Sequence, residues 1–595
     1  MSDSTGHSID SAEEFLTRRR MLAASSATIA GGLAGCLGGE QTGSGDAIRT
    51  FQPMIPDEMN FNTWASGYPW SQTWLLLEPV QRFFTDGSVE NQMIEHWEYN
   101  PDERALTVEF EDGWHWWNGD QITAEDKYWY EECARLVHGE GSDLEDLVLE
   151  DEMTITRVYK EPQNPELVEY KLGGYLGEMM RVHRDKFRPW AEELRDASNQ
   201  EERLEIEDRM ADEMPLHIST VAEEGLGNGP FKIVDYSTEG IDLEFLLAED
   251  DAVAQRLQGG DIDFGYSLLQ TWVGEEMAAD HVADIHRCDD TFMRRIEIFG
   301  RGPGSEHLRK REVRRAIAHA VDNRHVSNNY SAPSTAREAQ TGLTAEVTSN
   351  WLDDDYVADY LEYPFEADED GATELMERAG YELEDDRWVD EDGDRVSFEI
   401  VIPDHNTNIG RTVSDQLANF GFEIDFDVLE GATYRANTEE TINFDMTVGE
   451  HGGLIAHPFY YFRHDHTHSL DMGDTGVIED VLEEGETRAP YNGREIVIEI
   501  SSNVGDEDPS GSTEEINLFE LDQEWRVTAE EDRSREIAEI FSWYWNFHLP
   551  GIDLVEVRSG TFGNTRDFEF QTDTKDWSCY RGAYRGVKRG HVSPK

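Results

Sequence analysis

Histidines are concentrated in one short stretch of this 595-residue chain. Five of its 19 histidines lie between positions 451 and 468, namely His451, His457, His464, His466 and His468. If residues 464–468 are extended, alternate side chains point to the same side, which places His464, His466 and His468 together. Imidazole nitrogens bind nickel, copper or zinc, so these three are candidate metal ligands. The alternative is a polar loop in which the histidines are ordinary surface residues.

A second group of residues suits the wall of a binding site. Asn60, Trp64, Tyr68 and Trp70 follow one another closely near the start of the chain. Tryptophan and tyrosine offer a large apolar area together with one polar atom each. The sequence therefore predicts that these four residues line a pocket, with an aromatic core as the alternative.

Catalytic signatures are weak. The sequence contains neither G-x-S-x-G nor H-E-x-x-H, which would indicate a serine hydrolase or a zinc protease. With 127 acidic residues, pairs such as Asp261 and Asp263 arise by chance. A catalytic carboxylate also needs a raised pKa, which a sequence does not reveal. A surface hydrolase is therefore the least favoured function, and we expect a protein that is not an enzyme and needs no cofactor.

The charge balance is extreme. Fifty basic residues against 127 acidic ones give a net charge of −77. Such a surface repels itself in dilute buffer, whereas at molar salt the screening length falls to roughly 3 Å. We interpret this as adaptation to a very salty environment, of the haloarchaeal type, and the alternative is an acidic surface for a cationic partner. Nucleic acid is strongly disfavoured as a partner, because phosphate contacts need a basic surface, and we expect none.

The N-terminus carries targeting signals. Arg18 and Arg19 precede an apolar run at 23–37 that is too short to span a bilayer. The arrangement resembles a twin-arginine signal, and Leu-Ala-Gly-Cys at 33–36 resembles a lipobox. The resemblance implies cleavage before Cys36, lipid on its sulfur and attachment to the extracellular face of the cell membrane. Residues 37–45 would then be a flexible tether.

The remaining cysteines are Cys133, Cys288 and Cys579. Their spacing matches no metal or redox motif. We expect buried free thiols, and the alternative is a single disulfide that the sequence cannot pair.

The stretch at 105–130 predicts a strand, a turn and the start of a helix. Its first part alternates apolar with polar side chains, with the apolar positions at Leu106, Val108 and Phe110. Asn-Gly at 118–119 indicates a tight turn. Thr123 precedes acidic residues, as a helix N-cap does.

This stretch resembles the signature F-x-L-R-x-G-V-x-W-x-D-G-x-P-x-T-A-E-D-V of the family 5 extracellular solute-binding proteins. Further segments resemble other signatures of that family, in family order, at 225–236, 257–266, 307–326, 372–381, 413–427, 444–450 and 533–554. The segment at 307–326 predicts an amphipathic helix whose basic residues form a solvated face, with an anion-binding site as the alternative.

The resemblance implies an α/β, two-lobed periplasmic-binding-protein-like fold (type II, cluster C) with an extra inserted domain. The domains it implies are, in order, a signal at 1–36, a tether at 37–45, a discontinuous lobe I at 46–75, 222–290 and 530–575, an inserted domain at 76–221, lobe II at 291–529, and a basic C-terminal tail at 576–595. The implied function is that of a monomeric, lipid-anchored receptor. It would capture a peptide or similar small solute and deliver it to the permease subunits of an ABC importer. The alternative on the same fold is a receptor for nickel or a metal chelate.

The resemblance also implies site residues. In many peptide-binding relatives, an aspartate that follows the F-D motif receives the α-ammonium group of the peptide. The matching stretch here, 449–458, lacks those aspartates, and Glu450 is the nearest carboxylate. His451 adjoins it, and Tyr266 directly follows the crossover between the lobes at 257–264. We therefore predict a ligand held by Asn60, Trp64, Tyr68, Trp70, Tyr266, Glu450 and His451.

Overall fold

A computed structural model describes much of the chain. The described residues are 60–64, 76–139, 142–172, 183–214, 216–229, 263–267, 282–300, 302–330, 334–430, 433–434, 444–452, 455–462, 497–507, 512–578 and 589–595. The predicted signal with Cys36 and the pocket candidates Tyr68 and Trp70 lie outside these ranges, as do His464, His466 and His468.

The stretch at 105–130 forms the strand and helix that its pattern predicts. Strand β4 (Ala105–Phe110) buries Leu106, Val108 and Phe110 on one side. Helix α1 (Ala124–His138) begins after Thr123, whose backbone N–H donates to Asp126 Oδ2 at 3.0 Å. This is one half of a capping box, and it satisfies a backbone donor that the helix itself cannot.

These two elements belong to an antiparallel sheet packed against helices. The other strands of this part are β1 (Gln81–Phe83), β2 (Val89–Asn91), β3 (Ile94–Asn100), β5 (Leu144–Leu149) and β6 (Thr154–Tyr159). The other helices are α2 (Pro165–Glu169), α3 (Arg184–Asp196), α4 (Gln200–Glu213) and α5 (Ile218–Glu224). The four-stranded order is β3-β4-β6-β5, and its apolar face meets α1 and α3 in one core.

The second part of the chain is built around a seven-stranded sheet. Its strands are β7 (Phe264–Ser267), β8 (Val282–Ile298), β9 (Ser334–Ala336), β12 (Ser397–Pro403), β13 (Glu423–Leu429), β14 (Met446–Gly452) and β17 (Gly551–Asn564). The order is β13-β12-β14-β8-β17-β7, and β9 also pairs with β17. Short strands outside this sheet are β10 (Glu382–Glu384), β11 (Arg387–Val389), β15 (Val497–Ser501), β16 (Thr513–Asn517), β18 (Phe568–Phe570) and β19 (Val592–Pro594).

Helices cover this sheet and complete two further cores. They are α6 (Ser305–Leu308), α7 (Arg311–Ala320), α8 (Asn323–Asn329), α9 (Ala345–Trp351), α10 (Asp354–Ala358), α11 (Glu369–Arg378), α12 (Thr407–Phe420), α13 (Pro458–Phe462), α14 (Leu518–Val527) and α15 (Glu531–His548). One core joins α7, α11 and α12 to the sheet, and the other is rich in aromatic rings from α13, α14 and α15. The predicted domain boundaries stay a prediction.

The expectation for the basic residues of α7 is wrong. Arg311, Arg314 and Arg315 are buried rather than solvated. Arg314 donates to the carbonyl oxygens of His548 and Leu308 at 2.8 and 2.7 Å. Arg315 forms an ion pair with a carboxylate, Glu507, at 2.7 Å. Long cationic side chains are tolerated inside the fold here because each donates to at least one acceptor, and Arg311 Nη2 donates to the carbonyl oxygen of Glu507 at 2.7 Å.

The described end of the basic tail docks on the protein. Asp576 is buried, and it receives Arg82 Nη1 at 2.8 Å, Arg589 Nη1 at 3.3 Å and His591 Nε2 at 2.6 Å. Among the other cysteines, Cys133 is a buried free thiol, as expected for it.

Candidate functional site

The carboxyl ends of three parallel strands define the candidate site. The chain runs along β12, passes through α12 to β13 on one side, and later returns to β14 on the other side of β12. In open α/β sheets, ligands bind outside the carboxyl ends of the strands at such a reversal of strand order. Glu450 lies near the carboxyl end of β14. Asn406, just before α12, donates its Nδ2 to the carbonyl oxygen of Val448 on β14 at 2.8 Å.

Two long strands continue past this edge. β8 has 17 residues and β17 has 14, and they pair with each other along most of their length. β14 pairs only with the second half of β8, from Phe292 to Ile298. The first half of β8 pairs with β17 alone, and β17 in turn pairs with β7 at residues 560–563. From the edge that carries Glu450, β8 and β17 therefore extend together as far as β7.

Tyr266 lies on β7, well away from Glu450. It pairs with Thr561, which pairs with His286 on β8. His286 is eight residues from Arg294, the partner of Glu450 in the sheet. At about 3.3 Å per residue, His286 and Arg294 are roughly 26 Å apart along β8. Glu450 lies on β14, which pairs with β8, and Tyr266 lies on β7, which pairs with β17. The two residues therefore border the same pair of long strands at positions too far apart for contact.

Glu450 is held by an arginine that the sequence did not single out. Glu450 and Arg294 are directly opposite each other on β14 and β8, and Glu450 Oε2 accepts from Arg294 Nη1 at 2.9 Å. Arg294 is buried, and its Nε donates to the hydroxyl oxygen of Tyr330 at 2.8 Å. The phenol and the carboxylate both raise the pKa of Arg294 despite its burial. The side chain of Glu450 remains 48% exposed.

His451 belongs to a buried structural network. Its side chain is 4% exposed, its Nε2 lies 2.8 Å from the carbonyl oxygen of Gly342, and its ring stacks on Trp545 with centroids 5.4 Å apart. The N–H of Gly342 donates to Asp553 Oδ2 at 2.9 Å. Burial raises the pKa of Asp553, while the charges of Arg337 and His451 oppose that rise. His451 thus holds the loop at Gly342 in place, and its predicted role in binding ligand stays a prediction.

Trp64 is partly buried and packs against the core of the four-stranded sheet, and Asn60 is partly buried near it in the sequence. The Trp64 ring meets Tyr130 edge-on at 5.1 Å and Phe187 at 5.6 Å. Asn60 forms an isolated bridge with His217. The described contacts of these two residues do not include Glu450 or His451. Their predicted role in binding ligand stays a prediction.

The histidine-rich stretch is described only in part. His457 is buried, and its Nδ1 accepts from the N–H of Phe459 at 3.1 Å. Trp351, Tyr170 and Tyr460 surround its ring, and burial lowers its pKa to about 3. Within the described ranges, no group of three or more His, Cys, Asp or Glu is placed to hold a metal ion.

Arg294 and Tyr330 are the residues that sequence reasoning missed. One signal was available for Arg294, because it stands in a strand whose same-face neighbours, Ile296 and Ile298, are apolar and buried. A charged residue at such a position needs a partner, which pairing with β14 supplies.

Comparison with known proteins decides the family. The model of the bacterial extracellular solute-binding proteins, family 5 (middle region), matches residues 88–469. The chain belongs to this family. A search of curated proteins found no match.

Solved structures resemble this family 5 protein over nearly its whole length. The oligopeptide-binding protein AppA of Bacillus subtilis, in complex with a nonapeptide, has a TM-score of 0.61 and 13% identity, covering 92% of this chain and 99% of its own. NikZ of Campylobacter jejuni, in complex with Ni(L-His), has a TM-score of 0.60 and 12% identity, covering 93% and 100%. A periplasmic oligopeptide-binding protein of Thermotoga maritima, with mannohexaose bound, has a TM-score of 0.63 and 15% identity, covering 93% and 100%.

These similarities confirm the predicted two-lobed α/β fold. In the part of the chain that is described, no helix is long and apolar enough to cross a membrane.

Proposed function

We propose that this family 5 protein is the extracellular substrate-binding component of an ABC importer. It captures a peptide or similar small solute between its two lobes and delivers it to the permease subunits in the membrane. The observation that carries the proposal is the pair of long strands, β8 and β17, that run past the carboxyl edge of β12, β13 and β14. Closure of two lobes about such strands buries a solute at that edge, where a half-exposed Glu450 lies.

The sequence supports attachment at the cell surface. The twin-arginine motif at 18–19 and the lipobox ending at Cys36 together direct export and lipidation. The sequence contains no phosphate-binding loop of the G-x-x-x-x-G-K type, so ATP hydrolysis belongs to another subunit. We propose a monomeric receptor held on the extracellular face of the membrane.

A metal-chelate receptor is the second candidate. It is favoured by the spacing of His464, His466 and His468 in the sequence. The similar protein NikZ was solved with Ni(L-His). The first candidate is preferred because Glu450, at the strand edge, can bind an organic solute that carries no metal.

The decisive experiment is to identify the solute that the protein carries. The protein is purified from its host at molar KCl, denatured to release the solute, and the extract is examined by mass spectrometry for organic solutes and for metals. We expect one organic solute that rebinds the emptied protein and raises its melting temperature. A metal-dependent solute would replace the proposal with the metal-chelate function. Turnover of a chromogenic glycoside or peptide by the purified protein would contradict a receptor role.

A further inference from the structure

We infer that Arg294 makes the edge beside Glu450 select a neutral hydrogen-bonding group of the solute, such as a hydroxyl or an amide, over an ammonium group. The inference rests on the proposed function, because it names the chemistry that the same site takes. It separates this chain from relatives in which a carboxylate receives the α-ammonium group of a peptide.

The charge of Glu450 is compensated by the protein itself. Arg294 Nη1 lies 2.9 Å from Glu450 Oε2, and the two residues are opposite each other in the sheet. Arg294 is 6% exposed, and the hydroxyl oxygen of Tyr330 accepts from its Nε. Because it is held at both ends of the guanidinium group, Arg294 cannot turn away when a solute arrives. Arginine also keeps its proton at every pH of interest.

Distance sets the electrostatic consequence. An ammonium nitrogen about 3 Å from the Glu450 carboxylate would stand roughly 6 Å from the guanidinium group, and Coulomb energy falls inversely with distance. Repulsion by Arg294 therefore cancels roughly half of the attraction to Glu450. The remaining half has to offset the cost of removing water from a cation, which is much larger than the same cost for a neutral hydroxyl or amide. An anion meets the reverse difficulty, since Glu450 repels it.

A neutral group meets neither penalty. A hydroxyl or amide donates to the carboxylate and keeps the ion pair intact. The side chain of Glu450 is 48% exposed, so it can be reached from the edge. The sequence agrees, because the stretch 449–458 has no aspartate where peptide-binding relatives keep theirs.

The first test modifies the solute and leaves the protein unchanged. The solute released from the purified protein is treated with acetic anhydride in water, which neutralises amines, and is rebound to the emptied protein by calorimetry. We expect the dissociation constant to change by less than about threefold. A loss of tenfold or more means that an ammonium group binds in the site and overturns the inference, while the proposed function stands. A protein that carries and binds no solute contradicts the proposed function and this inference together.

The second test removes the compensating charge. Arg294→Met leaves Glu450 without its cation, so trialanine amide should bind at least tenfold more tightly than it binds the parent. N-acetyl-trialanine amide, which lacks the ammonium group, should show no such gain. Arg395→Met is the matched control, because Arg395 forms an exposed pair with Glu423 at 3.3 Å and its loss changes the net charge equally. An equal gain in the control, or no gain with Arg294→Met, overturns the inference.

Discussion

The ring of Trp117 occupies the space that a side chain on Gly227 would need. A Cβ on Gly227 would lie 2.3 Å from Trp117 Cη2, and the N–H of Trp117 donates to the carbonyl oxygen of Gly227 at 2.8 Å. A second bond joins the N–H of Asn118 to the carbonyl oxygen of Gly225 at 3.2 Å. The segments at 105–130 and 225–236, which both resemble family signatures, thus pack directly against each other at these residues; we call this contact the joint.

Gly227→Ala should test this joint. We expect a loss of about 1–3 kcal/mol in the free energy of unfolding, because the new methyl group overpacks against the indole. The loss should be much smaller in a Trp117→Leu background, where the ring is absent. Urea unfolding of the four proteins measures the coupling, and additive losses would contradict the contact.

The pH dependence of stability should report the burial of His457. Its pKa is lowered to about 3 in the folded protein by burial, against about 6.5 in an unfolded chain. The unfolded state therefore binds the proton more readily. The stability from the neutral ring is fully present above pH 6.5 and is lost as the pH falls towards 3, by up to about 1.4 kcal/mol per pH unit.

His457→Phe should lack this contribution while keeping a ring among Trp351, Tyr170 and Tyr460. Carboxylates titrate over the same range in both proteins, so the difference between the two stability curves isolates the histidine. Urea midpoints from pH 7.5 to 4.5 at constant molar KCl supply the curves. Parallel curves would show that His457 is accessible to protons in the folded state.

Local patterns predicted the fold better than they predicted the site. Alternation at Leu106, Val108 and Phe110 identified β4, because one face of that strand is buried. The same kind of reasoning misjudged Arg314. Periodicity indicates which face of a helix is apolar, but it does not reveal that a distant carbonyl group, that of His548, accepts from the arginine. Arg294 was missed because its partner, Glu450, is more than 150 positions away and comes near only through sheet register.

Stability should depend strongly on salt. A net charge of −77 means that self-repulsion is severe in dilute buffer and is screened at molar salt. We expect the melting temperature to rise steeply between low and molar KCl. Sucrose at matched osmolality is the control, since it favours compact states without screening charge. Equal melting temperatures at low and high KCl would indicate that local ion pairs already balance the surface.

Cys36→Ser should abolish anchoring. If the sulfur of Cys36 carries the lipid, the variant is released into the medium or remains unprocessed at a higher mass. Cell fractionation and intact-mass measurement distinguish these outcomes from the parent. Cys133→Ser is the control, because Cys133 is buried in the fold and stands well after the lipobox in the sequence. Unchanged mass and membrane fractionation in Cys36→Ser would count against lipidation.

The predicted ligand contacts are tested by Trp64→Ala, Glu450→Gln and His451→Ala, with affinity for the released solute measured by calorimetry. Loss of a buried aromatic anchor should cost about 2 kcal/mol or more, roughly thirtyfold in affinity. Trp64 packs on Tyr130 and His451 stacks on Trp545, so each variant must first be shown to be folded by circular dichroism.

Trp97→Ala is the matched control for Trp64, because Trp97 packs on the same core from β3 and has no predicted ligand role. Weaker binding in Trp64→Ala but not in Trp97→Ala would support the predicted wall. Parent-like affinity in all three site variants would show that the pocket is elsewhere. If only His451→Ala abolishes binding, and a chelator does the same to the parent, the solute is a metal chelate. His451 would then act by fixing the Gly342 loop or by meeting the metal, and restored binding on adding nickel to the chelated parent would identify the metal.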